Sequence, residues 1–287
     1  NTSESHSPKT TLSVADAVAV IVGVVVGVGI FRSPSLVAAN AGSENLCLLA
    51  WVLGGLISLA GALCYAEMAT AYPHAGGEYH YLTRAFGRNI GFLFAWARIT
   101  VIQTGSIATA AYVFGDYVSK VLPISGALSS SIYAAIVVSV LTAINIAGVK
   151  QGKIAQKLLS MGTVICVSLV IVIGIFKATP VTAVVSTGAD PKSAFGLAMI
   201  FVLYTYGGWN EAAYISGEVT NPKRNILRSL VIGVTLITGL YHLINFAYVK
   251  GLGFAAAGDS SAIAADLMQL GLGKAGATCV SIMIALA

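Results

Sequence analysis

Phe201-Val202-Leu203-Tyr204-Thr205-Tyr206-Gly207-Gly208-Trp209-Asn210-Glu211 is an apolar half-helix that runs into a glycine pair and then into polar residues, well before a membrane span should end. Such an interruption leaves backbone N–H and C=O groups without helical partners, and in lipid each unpaired group costs several kcal/mol. Irregular backbone at that depth survives only where it is buried in protein or lines a cavity. A second interruption should therefore face the first. Val22-Gly23-Val24-Val25-Val26-Gly27-Val28-Gly29-Ile30-Phe31-Arg32-Ser33-Pro34 supplies it, with glycines at its centre and a charge and a proline just beyond. Alone, Gly23 and Gly27 also fit a helix-packing surface of the small-xxx-small kind. The glycine pair of the other stretch, followed by an indole and an amide with no evident packing role at mid-span, favours a binding site.

The rest of the chain suits a bilayer. Of its 287 residues, 57% are hydrophobic and 9% charged, and the mean hydropathy is +0.86; a soluble domain carries about a quarter charged residues. Apolar blocks near the length of about 20 residues that crosses a membrane predict spans at 13–40, 46–70, 90–118, 129–148, 156–176, 194–217, 228–249 and 274–287. The last block is still apolar at Ala287, so the expectation is an all-α polytopic protein truncated within its eighth transmembrane helix. No cleavable signal peptide is visible, because the first dozen residues are polar and no small-residue cleavage site follows.

Charge gives an orientation. With the N-terminus cytoplasmic, the inner segments hold Lys9, Arg84, Arg88, Lys150, Lys153, Lys157, Lys223, Arg224 and Arg228, against Lys120, Lys177, Lys192, Lys250 and Lys274 outside. That asymmetry follows the positive-inside rule and accounts for the net charge of +5 without invoking nucleic acid, for which there is no dense basic cluster. The expected location is the plasma, or cell inner, membrane. Cys47, Cys64, Cys166 and Cys279 all lie in apolar blocks and make no metal or disulfide spacing. With no cysteine in an outer loop, a disulfide-linked partner subunit is not expected.

Two broken helices facing each other suit a zwitterion. N-terminal amides of a half-helix attract a carboxylate, and unwound carbonyls attract an ammonium. Paired discontinuous helices in the two halves of an inverted repeat form the substrate site of many secondary transporters. A channel would need a ring of selectivity groups, and an intramembrane enzyme a nucleophile–base pair or a metal motif such as HExxH; neither is visible, so no catalytic residue, metal or cofactor is expected.

Gly27-Val28-Gly29-Ile30-Phe31 and Tyr206-Gly207-Gly208-Trp209-Asn210 resemble the unwound segments of the amino acid-polyamine-organocation (APC) superfamily. With Asn221-Pro222 and Arg224-Asn225, the second is most similar to the L-type amino acid transporter branch. Ala66-Glu67-Met68 leading to Tyr72-Pro73-His74-Ala75-Gly76-Gly77-Glu78-Tyr79 resembles the family segment after span two. The resemblance implies the leucine-transporter fold: a polar N-terminus at 1–12, a first five-helix repeat at 13–176, an extracellular connection at 177–193 and a partial second repeat at 194–287. It implies a permease or exchanger working by alternating access. Amides near Val28, Gly29 and Ile30 would take the substrate carboxylate, and carbonyls near Val25, Tyr204 and Gly207 the ammonium. Asn210 would lie close to the substrate and Tyr204 would gate it.

This chain departs from the branch at two positions. Val28 stands where a serine is common, which crowds the pocket and suits a small neutral amino acid. Thr163 stands where many members carry a lysine, which leaves a sodium site near Thr163 open and the coupling ion, sodium or proton, undecided. A non-translocating sensor and a carrier of polyamines or organic cations are the alternative readings.

Ionisable residues within spans are functional candidates by default. Glu67 is a gate candidate or a partner for a basic loop residue, Arg98 reads as a side chain snorkelling to the inner interface, and Glu211 is a gating or coupling candidate on the helix that resumes after the break. Gln103 and Ser106, one turn apart, are candidate pocket residues. His242 reads as a partner for a neighbouring helix.

Overall fold

Breakers decide where the long apolar helices stop. The computed structural model describes residues 12–72, 74, 76–124, 128–146, 152–177, 191–213 and 219–286. Its first span is two helices, α1 (Val14–Val25) and α2 (Ser33–Ala41), separated by a 3-10 turn at Val28–Phe31. Pro34 lies in the first turn of α2, where its missing N–H removes a donor that has no helical partner anyway. After α3 (Glu44–Ala71) and α4 (Gly77–Phe86), α5 (Arg88–Ala97) continues through a π-helical segment at Arg98–Gln103 into α6 (Thr104–Val121). α7 (Ser129–Ile146), α8 (Gly152–Phe176) and α9 (Pro191–Tyr206) follow. α9 stops at the glycine pair, and a 3-10 turn at Trp209–Ala213 takes up the chain before α10 (Pro222–Leu252), α11 (Phe254–Asp259) and α12 (Ile263–Leu286).

The chain is an all-α polytopic membrane protein. Among the described residues, five helical stretches are long and apolar enough to span a bilayer: Glu44–Ala71, Arg88–Val121, Ser129–Ile146, Arg224–Leu252 and Ile263–Leu286. α1 and α9, at 12 and 16 residues, fall short because each is interrupted where the glycines lie. No strand occurs among the described residues; Leu12 and Val219 form an isolated bridge.

Three features differ from the sequence reading. α4 forms in the polar segment after span two, where only loop chemistry was legible. The π segment has no residue-level signal. The eighth span, expected from 274, is preceded by helical residues 263–272, with Gly273 at φ +71 as the kink between them. Lys9, Lys150, the connection at 178–190 and the end of the sixth span at 214–217 lie outside the described residues, as do the side chains of Lys153, Lys157, Lys192 and Lys223.

Contacts group the chain into two units. The first comprises Asn1–Val25, Gly55–Gln103 and Tyr206–Thr238. Here α1 lies against α10: a Cβ on Gly233 would sit 3.1 Å from Ile21 Cγ2, and Ser229 Oγ donates to Val14 O at 3.4 Å. Close backbone approach through small residues is how helices associate without a hydrophobic drive between them. The Thr220 N–H and hydroxyl both donate to Leu12 O, at 3.0 and 3.1 Å, tying the segment just before α1 to the segment just before α10.

The second unit comprises Val26–Gly54, Thr104–Thr205 and Gly239–Ala287. Its core centres on Tyr117 of α6, fully buried, whose hydroxyl donates to Phe31 O at 2.9 Å and accepts from Ala264 N at 3.3 Å. One phenol thus joins the first break, α6 and the start of α12. Trp51 and Tyr241 meet edge to face at 5.8 Å. Arg32 donates to Ser260 O and Ser261 O at 3.2 and 3.1 Å, and Asp266 accepts from Lys120 at 2.9 Å and Ser260 at 2.6 Å.

Candidate functional site

Glycine lets each break approach a neighbouring helix end. In the second unit, a Cβ on Gly29 would lie 3.5 Å from Thr205 Cγ2, in the last turn of α9. Thr205 is buried; its hydroxyl donates to Phe201 O at 2.7 Å and its carbonyl accepts from Tyr241 at 3.1 Å. In the first unit, a Cβ on Gly208 would lie 3.2 Å from Val24 Cγ1 and 3.5 Å from Val24 O, at the end of α1. Gly208 has φ +115, a conformation essentially reserved for glycine.

The residues expected at the site divide between the units. Val28, Gly29, Ile30, Tyr204, Ser106 and Thr163 belong to the second. Ile30 is fully buried, Thr163 is 4% exposed, and Tyr204 is 46% exposed. The Ile30 amide donates to Gly27 O at 3.4 Å and the Arg32 amide to Gly29 O at 3.1 Å, so the Ile30 donor is already engaged, by a long bond. Val25, Gln103, Gly207, Asn210, Glu67 and Glu211 belong to the first unit. Glu67 and Gln103 are exposed, and neither joins the polar cluster that dominates this unit.

That cluster is built on Glu78. In the first turn of α4, where a carboxylate suits the helix dipole, its Oε1 accepts from Tyr65 Oη at 2.7 Å and Asn210 Nδ2 at 3.0 Å. Its Oε2 accepts from Arg98 Nη1 at 2.6 Å, and Arg98 Nη2 donates to Glu211 Oε1 at 2.6 Å. The side chains of Glu78 and Arg98 are 12% and 22% exposed. Charges so withdrawn from water persist when paired and hydrogen-bonded. The Arg98 fork is held by two carboxylates, a geometry that suits guanidinium. It is also the first residue of the π segment, a distortion common at functional sites.

Two sequence expectations are corrected here. Trp209 does have a packing role, since its ring fills the space beside Gly61, 2.7 Å from where a Cβ would be, and meets Tyr65 edge to face at 5.2 Å. The Asn210 amide has internal partners at both ends, because Oδ1 also accepts from Gly208 N at 3.3 Å. Glu78 and Tyr65 join the cluster although the sequence expectation does not include them; the acidic residue after the Gly76-Gly77 pair is the one local signal for Glu78.

His80 of α4 stacks on His74, in the segment before that helix, at 4.1 Å between centroids. His80 is held below the ordinary imidazole value, first by loss of hydration and then by the charges of His74 and Arg84. Burial, followed by the charge of Glu78, pushes the Tyr81 phenol up.

Known proteins are similar to this chain over most of its length. The family model described as amino acid permease matches residues 12–287. The serine/threonine exchanger SteT of Bacillus subtilis is 34% identical over 246 residues, covering 85% of this chain and 56% of that protein. Large neutral amino acids transporter small subunit 2 of Homo sapiens is 33% identical over 265 residues, covering 85% of this chain and 48% of that one. Asc-type amino acid transporter 1 of Mus musculus is 31% identical over 261 residues, 87% of this chain and 49% of the relative. The chain spans about half the length of these curated relatives.

Proposed function

The chain belongs to the amino acid permease family, and from that premise we propose that it forms the substrate-binding part of a carrier that moves a neutral amino acid across a membrane by alternating access. The observation that carries this reading is the pair of helix breaks, each packed through a glycine onto a helix end: Gly29 on Thr205, and Gly208 on Val24 and Val25. Donors and acceptors released at the breaks suit a zwitterion. The amides of Val28 and Gly29 take the carboxylate, and the carbonyls of Val25, Tyr204 and Gly207 take the ammonium. Tyr204 covers the ligand, Ser106 and Gln103 face its side chain, and Val28 narrows the pocket toward small substrates. Glu67, Glu211 and Thr163 are the gating and coupling candidates, with sodium or a proton as the coupling ion.

The serine/threonine exchanger among the relatives supports a small polar or neutral substrate and an exchange mode. The N-terminus is cytoplasmic in this reading, and residues 13–176 and 194–287 are the first and the partial second inverted repeat of a plasma-membrane protein. No disulfide-linked subunit is required.

The test is uptake of labelled amino acids by the full-length protein in proteoliposomes, under sodium, proton and preloaded-substrate conditions. Gly29→Ala should retain uptake, because its Cβ would make ordinary contact at 3.5 Å, and Gly29→Trp should abolish it. Uptake that survives Gly29→Trp removes the site from this position. Saturable binding without flux makes the protein a sensor, and no amino acid binding at all turns the search to polyamines and organic cations.

A further inference from the structure

We infer that Glu78 is the positioning residue of the second helix break and acts on it through Asn210. The inference rests on the transporter reading above and adds the residue that sets the shape of that site. Where α9 stops, the Gly208 N–H finds a side-chain acceptor, Asn210 Oδ1, at 3.3 Å. Gly208 is also the residue at φ +115 whose Cβ position lies 3.2 Å from Val24 Cγ1 at the end of α1. An asparagine amide can face either way, and flipping it would present two donors to the Gly208 donor. Glu78 sets the sense, since its Oε1 accepts from Asn210 Nδ2 at 3.0 Å and so turns Oδ1 toward Gly208.

The carboxylate is itself fixed from two directions, by Tyr65 at 2.7 Å and by Arg98 at 2.6 Å. Three donors converge on it, and a carboxylate, which only accepts, has lone pairs for all of them. A glutamine in its place would offer two donors to a shell that already donates. The requirement is therefore for the charge and acceptor count of glutamate rather than for its bulk. Residues 65, 78, 98 and 210 come from four separate segments, so the shape of the break is set by tertiary contacts.

The experiment measures KM, turnover and thermal stability for the full-length protein and its E78Q, E78D, N210A and E78Q/N210A variants, with amino acid uptake in proteoliposomes as the assay. E78Q is expected to raise KM about tenfold, the scale of leaving a buried donor unpaired, with turnover changed less than KM. N210A should give a similar shift, the double variant no more than the larger single one, and E78D a partial restoration. Unchanged KM in E78Q, or a double-variant effect equal to the product of the singles, overturns the inference. Should E78Q fail to fold, Tyr65→Phe withdraws one donor from the same oxygen and keeps both charges. A KM rise of about threefold that disappears in the N210A background supports the inference, and no rise overturns it. A wild-type protein that transports no amino acid defeats the transporter reading instead.

Discussion

Gly208 and Tyr117 carry opposite kinds of demand. Gly208 needs the absence of a side chain: an alanine there takes a backbone strain of about 1–3 kcal/mol and brings its Cβ within 3.2 Å of Val24. Gly208→Ala should therefore lower both the melting temperature and uptake per folded molecule; a variant with unaltered melting and uptake would show that the strained conformation is dispensable. Tyr117 needs its hydroxyl, which serves Phe31 O and Ala264 N inside the second unit. Tyr117→Phe leaves both buried groups without that partner, a loss of about 1–3 kcal/mol, to be read from thermal unfolding in detergent. Gly208 was legible in the sequence because a glycine pair followed by polar residues is a local signal. Tyr117 was not, because Phe31 and Ala264 lie 86 and 147 residues away from it. The same reason hid the Glu78 cluster: Arg98 and Glu211, its charged partners, were each visible as costly intramembrane charges, but pairing across 113 residues leaves no local mark.

Among the elements, both broken helices fall where the sequence predicts them, because there glycines are followed closely by polar residues or proline; glycine alone does not interrupt a helix, since Gly54-Gly55 lies inside continuous α3. The π segment Arg98–Gln103 was not legible, because its run of β-branched residues from Ile99 to Ile102 is equally at home in an ordinary apolar helix and marks no wider turn. Deleting Val101 returns the segment toward α-helical register and turns Arg98 by about 100° about the helix axis. The expected result is loss of the Arg98 ion pairs and of uptake; full activity in the deletion would mean that the π turn has no role. α4 offers a pH test. His80 is held below the ordinary imidazole value, so the unfolded chain binds more protons in the interval between the two values, and stability rises with pH across it. Melting temperature should fall as pH drops through about 6.5, and His80→Phe should flatten that dependence. Equal slopes in both proteins would place the titration elsewhere.

For the whole molecule, composition and span spacing were enough to establish an all-α polytopic protein, because the chain's solvent dictates both. Orientation rests on the basic residues of short loops, and it is open to direct measurement. In a background with the four cysteines replaced, a membrane-impermeant maleimide should label Ser43→Cys on intact cells and Arg88→Cys only after permeabilisation. The reverse pattern would invert the topology. The seat of Trp209 on Gly61 and Tyr65 has an optical consequence. The chain holds three tryptophans, one sealed beside Tyr241 at position 51 and one 53% exposed at position 96. With those two changed to phenylalanine, the remaining indole becomes a fluorophore built into the break, and its emission wavelength reports, in unlabelled protein and in real time, whenever that ring leaves its glycine seat.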